Sequence, residues 1–224
     1  MTCPGTAPGL VFDKVAIDKD HAPLIALDRR IAPGEVLTVM GPSGVGKSTL
    51  LAYAAGFLAP AFQGTGRVLV GGEDVTRLPA HRRHMGLLFQ DPLLFPHLST
   101  GDNIAFALPA EVRGRAARRQ AVREALRQVD LDGYEDRDPA TLSGGQKARV
   151  TMIRVLVSRP RALLLDEPFS RLDATLRDQI RRLVFSMARE RNLPALLVTH
   201  DCADAQAAGG PIVELPASGG LSTL

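Results

Sequence analysis

The sequence predicts an α/β fold with a mainly parallel sheet, on three observations. Four runs, VLTVM (36–40), GLLFQ (86–90), ALLLDE (162–167) and ALLVTH (195–200), are apolar without alternation, as strands buried on both faces are. Helical segments separate them: STLLAYAAGFLA (48–59), a mostly helical stretch over 102–158, and ATLRDQIRRLVFSMARERN (174–192). Each run ends in polar residues: GPSGVGKST, Gln90, the Asp166–Glu167 pair and His200. Ligands of open α/β sheets bind at the carboxyl ends of the strands, so one shared site is expected there. The first forty residues are richer in strand, with APGE (32–35) marking a turn. The ending, GGPIVELPASGGLSTL, offers one short strand and then a loose Gly/Ser/Pro tail. No internal repeat is evident.

The bulk properties narrow the classes. A chain of 224 residues, 45% hydrophobic, suits one substantial domain with room for an inserted subdomain. No apolar run reaches the roughly 18–20 residues of a membrane span. The start, MTCPGTAPGL, has neither a basic nor an apolar region of a secretory leader. Cys3 and Cys202 give neither a disulfide framework nor a metal spacing, and a reduced, cytosolic setting is expected. Net charge is +3. The basic cluster RGRAARRQAVREALRQ (113–128) could face nucleic acid or an acidic membrane. The preferred reading is a solvated helix face opposite a stripe of Ala117, Ala121, Val122, Ala125, Leu126 and Val129. With 4% aromatics, stacking on single strands is disfavoured.

GPSGVGKST matches G-x-x-x-x-G-K-[ST] at Gly41, Gly46, Lys47 and Ser48, between an apolar strand and a helix. Glycines permit a tight loop whose N–H groups surround phosphates. Pro42, Ser43, Gly44, Val45 and Thr49 complete that stretch. Lys47 would reach the terminal phosphates and Ser48 Oγ a Mg²⁺. Asp166 suits Mg²⁺, which takes oxygen ligands and keeps waters. Glu167 is the natural base or water-orienting group, although the pair could merely cap the next turn. A lone strand-end histidine is usually structural. Beside phosphate, His200 could bond the γ-phosphate or the attacking water. LSGGQ (142–146) heads a helix: Ser143 is either an ordinary N-cap, or Ser143, Gly144, Gly145 and Gln146 form an anion site on bare backbone N–H groups.

The order of P-loop, Gln90, LSGGQ, LLLDEP, SRLD (170–173) and TH resembles the nucleotide-binding subunit of ATP-binding-cassette (ABC) transporters, from about residue 10 to about residue 205. The resemblance implies a P-loop NTPase with a RecA-like, mainly parallel sheet, an N-terminal antiparallel β subdomain and an inserted α-helical subdomain. It implies a single ABC ATPase domain over 1–224, with 1–90 and 159–224 as nucleotide-binding core and 91–158 as the helical subdomain carrying LSGGQ. ATP and Mg²⁺ are the implied cofactors. Residues 41–49 would hold the phosphates; Ser48, Gln90 and Asp166 would organise Mg²⁺; Glu167 would activate water; His200 would sense the γ-phosphate. Two cassettes, as a homodimer or a pair, would close head to tail, with Ser143, Gly144, Gly145 and Gln146 sealing the partner's ATP and Asp173 linking the two sites. The implied partners are an integral-membrane permease, contacted through DPLLFPHLST (91–100) with Leu93, Leu94 and Phe95 either exposed to it or filling the subdomain core, and a solute-binding protein, with no nucleic acid. The implied location is the cytoplasmic face of the inner membrane.

Two departures stand out. The family stacks adenine on an aromatic residue roughly 22–25 residues before the P-loop, where this chain reads AIDKDHAPL (16–24); His21 or an aliphatic contact would have to substitute. The chain also stops soon after the histidine, so a C-terminal regulatory domain is expected to be absent. DEPFSRLD and LLFPHLS resemble importer ATPases for thiamine, sulfate, iron(III) and polyamines, a short thiamine-type importer fitting slightly better than a sulfate-type one. The alternative is a mechanotransmission or lipoprotein-release ATPase, whose DEPTGNLD differs at Phe169 and Arg171. Soluble cassettes acting on DNA or ribosomes need a second cassette or a long insertion. The solute itself is not legible.

Overall fold

The computed structural model describes residues 9–216. The chain divides into two compact units. The first takes in the described residues up to Leu87, with Arg161–Glu167 and the chain from Phe185 on; the second takes in Leu88–Pro160 and Pro168–Val184.

The first unit holds two sheets. The antiparallel one has strand order β2-β1-β4-β5, from β1 (Leu10–Lys19), β2 (Ala22–Ile31), β4 (Phe62–Val70) and β5 (Glu73–Asp74). A two-residue turn closes the β1–β2 hairpin: Asp20 and His21 both have positive φ (51° and 64°), and Lys19 pairs with Ala22. That is the turn whose twist matches its strands. In β1 the buried residues are Leu10 and Phe12, then Val15 and Ile17. Strict alternation would turn Val15 outward. A bulge between Phe12 and Val15 resets the phase and keeps both pairs on the core side.

The other sheet runs β6-β7-β8-β3-β9, from β3 (Val36–Met40), β6 (Met85–Leu88), β7 (Ala162–Asp166), β8 (Ala195–Thr199) and β9 (Ile212–Glu214). The pairings β7–β8, β8–β3 and β3–β9 are parallel. Leu37, Val39, Leu164, Leu196 and Val198 are essentially inaccessible, and they join Leu10, Phe12, Val68 and Val70 in one core with Leu50, Leu51 and Ala54 of α1 (Lys47–Ala55).

Several boundaries differ from those expected. The strand over GLLFQ ends at Leu88, two residues before Gln90. The first helix stops at Ala55 rather than 59, because Gly56 adopts the left-handed conformation (φ 86°) and returns its N–H to Ala52 and Tyr53. The stretch 102–158 resolves into α2 (Thr100–Phe106), α3 (Arg115–Arg127) and α4 (Gly144–Val157), with Pro109, Gly114, Gly133 and Pro139 in the breaks. The helix over 174–192 is α5 (Ala174–Glu190), and α6 (Cys202–Ala208) was not anticipated. On α3 the stripe is shorter than expected: Val122, Ala125, Leu126 and the following Val129 are buried, whereas Ala117 is exposed and Ala121 only half-buried. Arg118 is half-buried, donating to the carbonyls of Val112 and Ala105.

Candidate functional site

The loop 41–46 joins β3 to α1. Gly44 and Gly46 have φ of 88° and 96°, a region costly for any residue with a β-carbon. At Gly46 a Cβ would also lie 2.8 Å from Leu24 Cγ. Helix α1 begins at Lys47 with no side-chain cap and no acid in its first turn. Its first N–H groups and positive end are therefore offered to an anion. Lys47 is 6% exposed, and its Nζ donates to the carbonyls of Gly41 (2.7 Å) and Pro42 (2.8 Å). Burial pushes its pKa down, while Glu167 and Asp166 pull it back up.

Those carboxylates stand at the end of β7. Asp166 Oδ1 accepts from Ser48 Oγ at 3.0 Å. Burial pushes the Asp166 carboxyl above the usual range; the Ser48 bond opposes this, Glu167 adds to it and Lys47 opposes it. A desolvated carboxylate beside a hydroxyl fits Mg²⁺, which needs one or two protein oxygens and takes the rest from water and phosphate. Among the described residues no group of three or more His, Cys, Asp or Glu could hold a metal, so a site built wholly from such side chains is not formed.

Glu167 leaves the strand in the left-handed region (φ 44°), a conformation that costs about 1–3 kcal/mol and clusters at functional sites. Its N–H still reaches Val198 O at 2.9 Å, and Oε1 lies 3.0 Å from His200 Nδ1. The residue before His200 is anchored from below: Thr199 Oγ1 donates to Asp204 Oδ2 at 2.8 Å and accepts from Asp201 N at 3.0 Å. Asp204, 3% exposed, was missed in the sequence. Its one signal was an acid in the first turn of a short helix that had itself not been recognised.

The first unit thus gathers residues 41–49, Asp166, Glu167 and His200. Gln90, Ser143, Gly144, Gly145, Gln146 and Asp173 belong to the second unit. There Ser143 caps α4: its Oγ accepts from Gln146 N, and Gln146 Oε1 accepts from Ser143 N, a capping box. The N-cap reading of LSGGQ therefore describes this geometry. The two glycines differ. A Cβ on Gly145 would lie 2.4 Å from Leu176 Cδ1, whereas one on Gly144 would meet nothing within 4 Å. Asp173 Oδ1 accepts from Leu176 N in the first turn of α5, and Arg171 pairs with Asp91.

In the segment 91–100, Leu93 is 58% exposed, while Leu94 and Phe95 are half-buried. Asn103, fully buried, clamps Phe95 by accepting its N–H (2.8 Å) and donating to its carbonyl (3.1 Å). Arg154 donates to Leu93 O at 3.0 Å. Phe106, 70% exposed, stands edge-on to Phe95 with centroids 5.0 Å apart.

The family model described as ABC transporter matches residues 24–170. Over 174 residues, 78% of this chain and 80% of the relative, the sequence is 51% identical to an uncharacterized ABC transporter ATP-binding protein, YnjD, of Escherichia coli strain K12. It is 43% identical over 199 residues to the putative 2-aminoethylphosphonate import ATP-binding protein PhnT of Salmonella typhimurium, covering 88% of this chain. It is 41% identical over 187 residues to the Fe(3+) ions import ATP-binding protein FbpC 1 of Haemophilus influenzae, covering 84% of this chain. The matches span 53% and 56% of those two relatives, just over half their length. The chain belongs to the ABC transporter family, as an ATP-binding ATPase of transport with a P-loop α/β fold.

Proposed function

We propose that this ATPase is the energy-coupling subunit of a solute importer, and that residues 41–49, Asp166, Glu167 and His200 perform its hydrolysis. The observation that carries the reading is the pairing of Glu167 and His200 at 3.0 Å, in the same unit as an uncapped helix N-terminus and a buried lysine. The loop N–H groups and Lys47 bind the phosphates as an anion. Ser48 and Asp166, hydrogen-bonded to each other, would hold Mg²⁺, which when bound would neutralise phosphate charge. Glu167 accepts a proton from the attacking water, and His200, hydrogen-bonded to Glu167, orients that carboxylate and the terminal phosphate.

Two copies close head to tail around two nucleotides, Gly144 and Gly145 presenting backbone N–H groups to the partner's phosphate, with Asp173 beside that junction. Closure and reopening move a membrane permease between two states. Leu93 and Phe106 offer exposed apolar surface for it. No helix among the described residues is long and apolar enough to cross a membrane. We place the chain at the cytoplasmic face of the inner membrane through that partner, with a solute-binding protein completing the assembly. The import names of the PhnT and FbpC relatives support the direction.

The test is a pull-down of tagged Glu167→Gln protein from gently solubilised native membranes with MgATP. A stoichiometric multi-span permease together with a binding protein supports the importer. A permease of few spans without a binding protein supports the mechanotransmission class, and soluble partners alone refute both.

A further inference from the structure

Gln90 stands outside the sheet. β6 ends at Leu88, and the two residues that follow, Phe89 and Gln90, are both exposed. Beyond them the chain is fastened to α4. Thr151 Oγ1 donates to Pro92 O at 2.9 Å, and Arg154 donates to Leu93 O at 3.0 Å. Asp91 lies between Gln90 and that fastening. Its carboxylate is taken by Arg171, 80 residues further along the chain. All of these residues belong to the second unit.

Arg171 reaches Asp91 from a firm base, the turn SRLD (170–173). Phe169, fully buried, roots that turn, and Leu172 N donates to its carbonyl at 3.1 Å. Arg177 donates to Ser170 O (3.4 Å) and Leu172 O (3.0 Å), the carbonyls on either side of Arg171. Asp173 caps the first turn of α5. These bonds fix the turn without the Arg171 side chain, which is left to span to Asp91. A cavity of about 220 Å³ is walled by Gln90 and Asp91 on the one segment and by Arg171 and Leu172 on the other. Packing across that junction is incomplete, and the charge pair bridges it.

We propose that Arg171 is a positioning residue: through Asp91 it sets the place of Gln90, and so ties Gln90 to the turn that carries Asp173. The inference rests on the reading of Gln90 as part of the hydrolytic site and of Asp173 as facing a second copy. The two side chains of the pair are 58% and 48% exposed. Such a pair adds little to global stability, because water competes for both charges and salt screens them. It still shifts a balance between a held and a released loop by roughly 2- to 5-fold. That suits a contact which orients a segment without bracing the fold. Lysine would keep the attraction but lose the planar fork that gives it direction.

The experiment follows amide hydrogen exchange by mass spectrometry over residues 86–91 of the nucleotide-free full chain, with ATPase kinetics and melting temperatures alongside. The variants are Arg171→Ala, Asp91→Ala, the two together, and Arg171→Lys. Exchange at Gln90 and Asp91 rises roughly 2- to 5-fold in each alanine variant. The double variant is no worse than either single one, since both remove the same contact. kcat falls by a similar factor with KM for ATP unchanged, Arg171→Lys lies between, and melting temperatures move by no more than about 1–2 °C. Raising KCl from about 0.05 M to about 1 M loosens the segment in the parent and not in Arg171→Ala. Unchanged exchange in Arg171→Ala overturns the proposal. So do additive effects in the double variant, or a kcat that stays at the parent's value while exchange rises and Gln90→Ala is inactive. Failure of the underlying reading looks different: Gln90→Ala then hydrolyses ATP at the parent's rate, while exchange over 86–91 in Arg171→Ala still rises.

Discussion

Gly144 and Gly145 head the same helix, and alanine at each should do opposite things. Gly144 is the first residue of α4, with ordinary negative-φ backbone and nothing within 4 Å of a built Cβ. Alanine is a better helix former than glycine by about 0.5–1 kcal/mol in a helix interior, and by some fraction of that in the first turn. Gly144→Ala should therefore leave the melting temperature unchanged or raise it by about 1–2 °C, with the Ser143–Gln146 capping box intact. Gly145 is buried, and its Cβ would stand 2.4 Å from Leu176 Cδ1. Alanine there forces Leu176 to move, costing about 1–3 kcal/mol, and Leu176→Ala should restore much of that loss. Nothing among the described residues lies close enough to require glycine at 144; in the head-to-tail pairing we propose, the approach of a second copy's phosphate would. Gly144→Ala should accordingly lose about 10-fold or more in ATPase activity and fail to dimerise with ATP. Differential scanning calorimetry, phosphate release and light scattering read the three quantities. Wild-type turnover in Gly144→Ala would sink the head-to-tail reading, and a clear drop in its melting temperature would sink the local argument.

Other expectations can be checked on the same protein. Lys47→Ala should weaken ATP and lower turnover by about 10²-fold, and Glu167→Gln should retain ATP binding while single-turnover hydrolysis disappears; wild-type hydrolysis in Glu167→Gln removes it as the base. Folding raises the Asp166 pKa, so its ionised form is disfavoured in the native state. That cost is absent below the unfolded value near 3.9 and fully present above the raised native one. Asp166→Asn should therefore raise the melting temperature of the nucleotide-free protein at pH 7 yet abolish stabilisation by MgATP; a fall in the first would refute the burial argument. Arg83, 5% exposed, donates to the carbonyls of Tyr53 and Ala54 in the last turn of α1 and to those of Leu78 and Thr76. Arg83→Ala should cost about 3 kcal/mol or more by orphaning them, and denaturant unfolding should show lysine failing to replace its fork.

The phosphate loop, the buried strands and the strand-end acids were legible because each is a local pattern. Spacing sets the loop, and unbroken apolar runs mark strands covered on both faces. The strand β4 and the bulge in β1 were not, since both are set where β1 pairs with β4, far along the chain; β5, two residues long, and the end of the short β6 carry too little pattern to be read. The α3 stripe was half legible. Periodicity put Val122, Ala125 and Leu126 inside, but it gave Ala117 the same standing, and only the packed neighbours decide how far a stripe is covered.

The sequence by itself determined the family, the ATPase chemistry and the residue types available to it, because phosphate binding and hydrolysis are written in short motifs. Tertiary structure alone decided three things. It set Gly145 against Leu176 and left Gly144 open, it anchored Thr199 on Asp204 beneath the histidine, and it laid Leu24 on Gly46. Each is a contact between residues whose spacing carries no signal, made only when separate elements pack to within van der Waals distance.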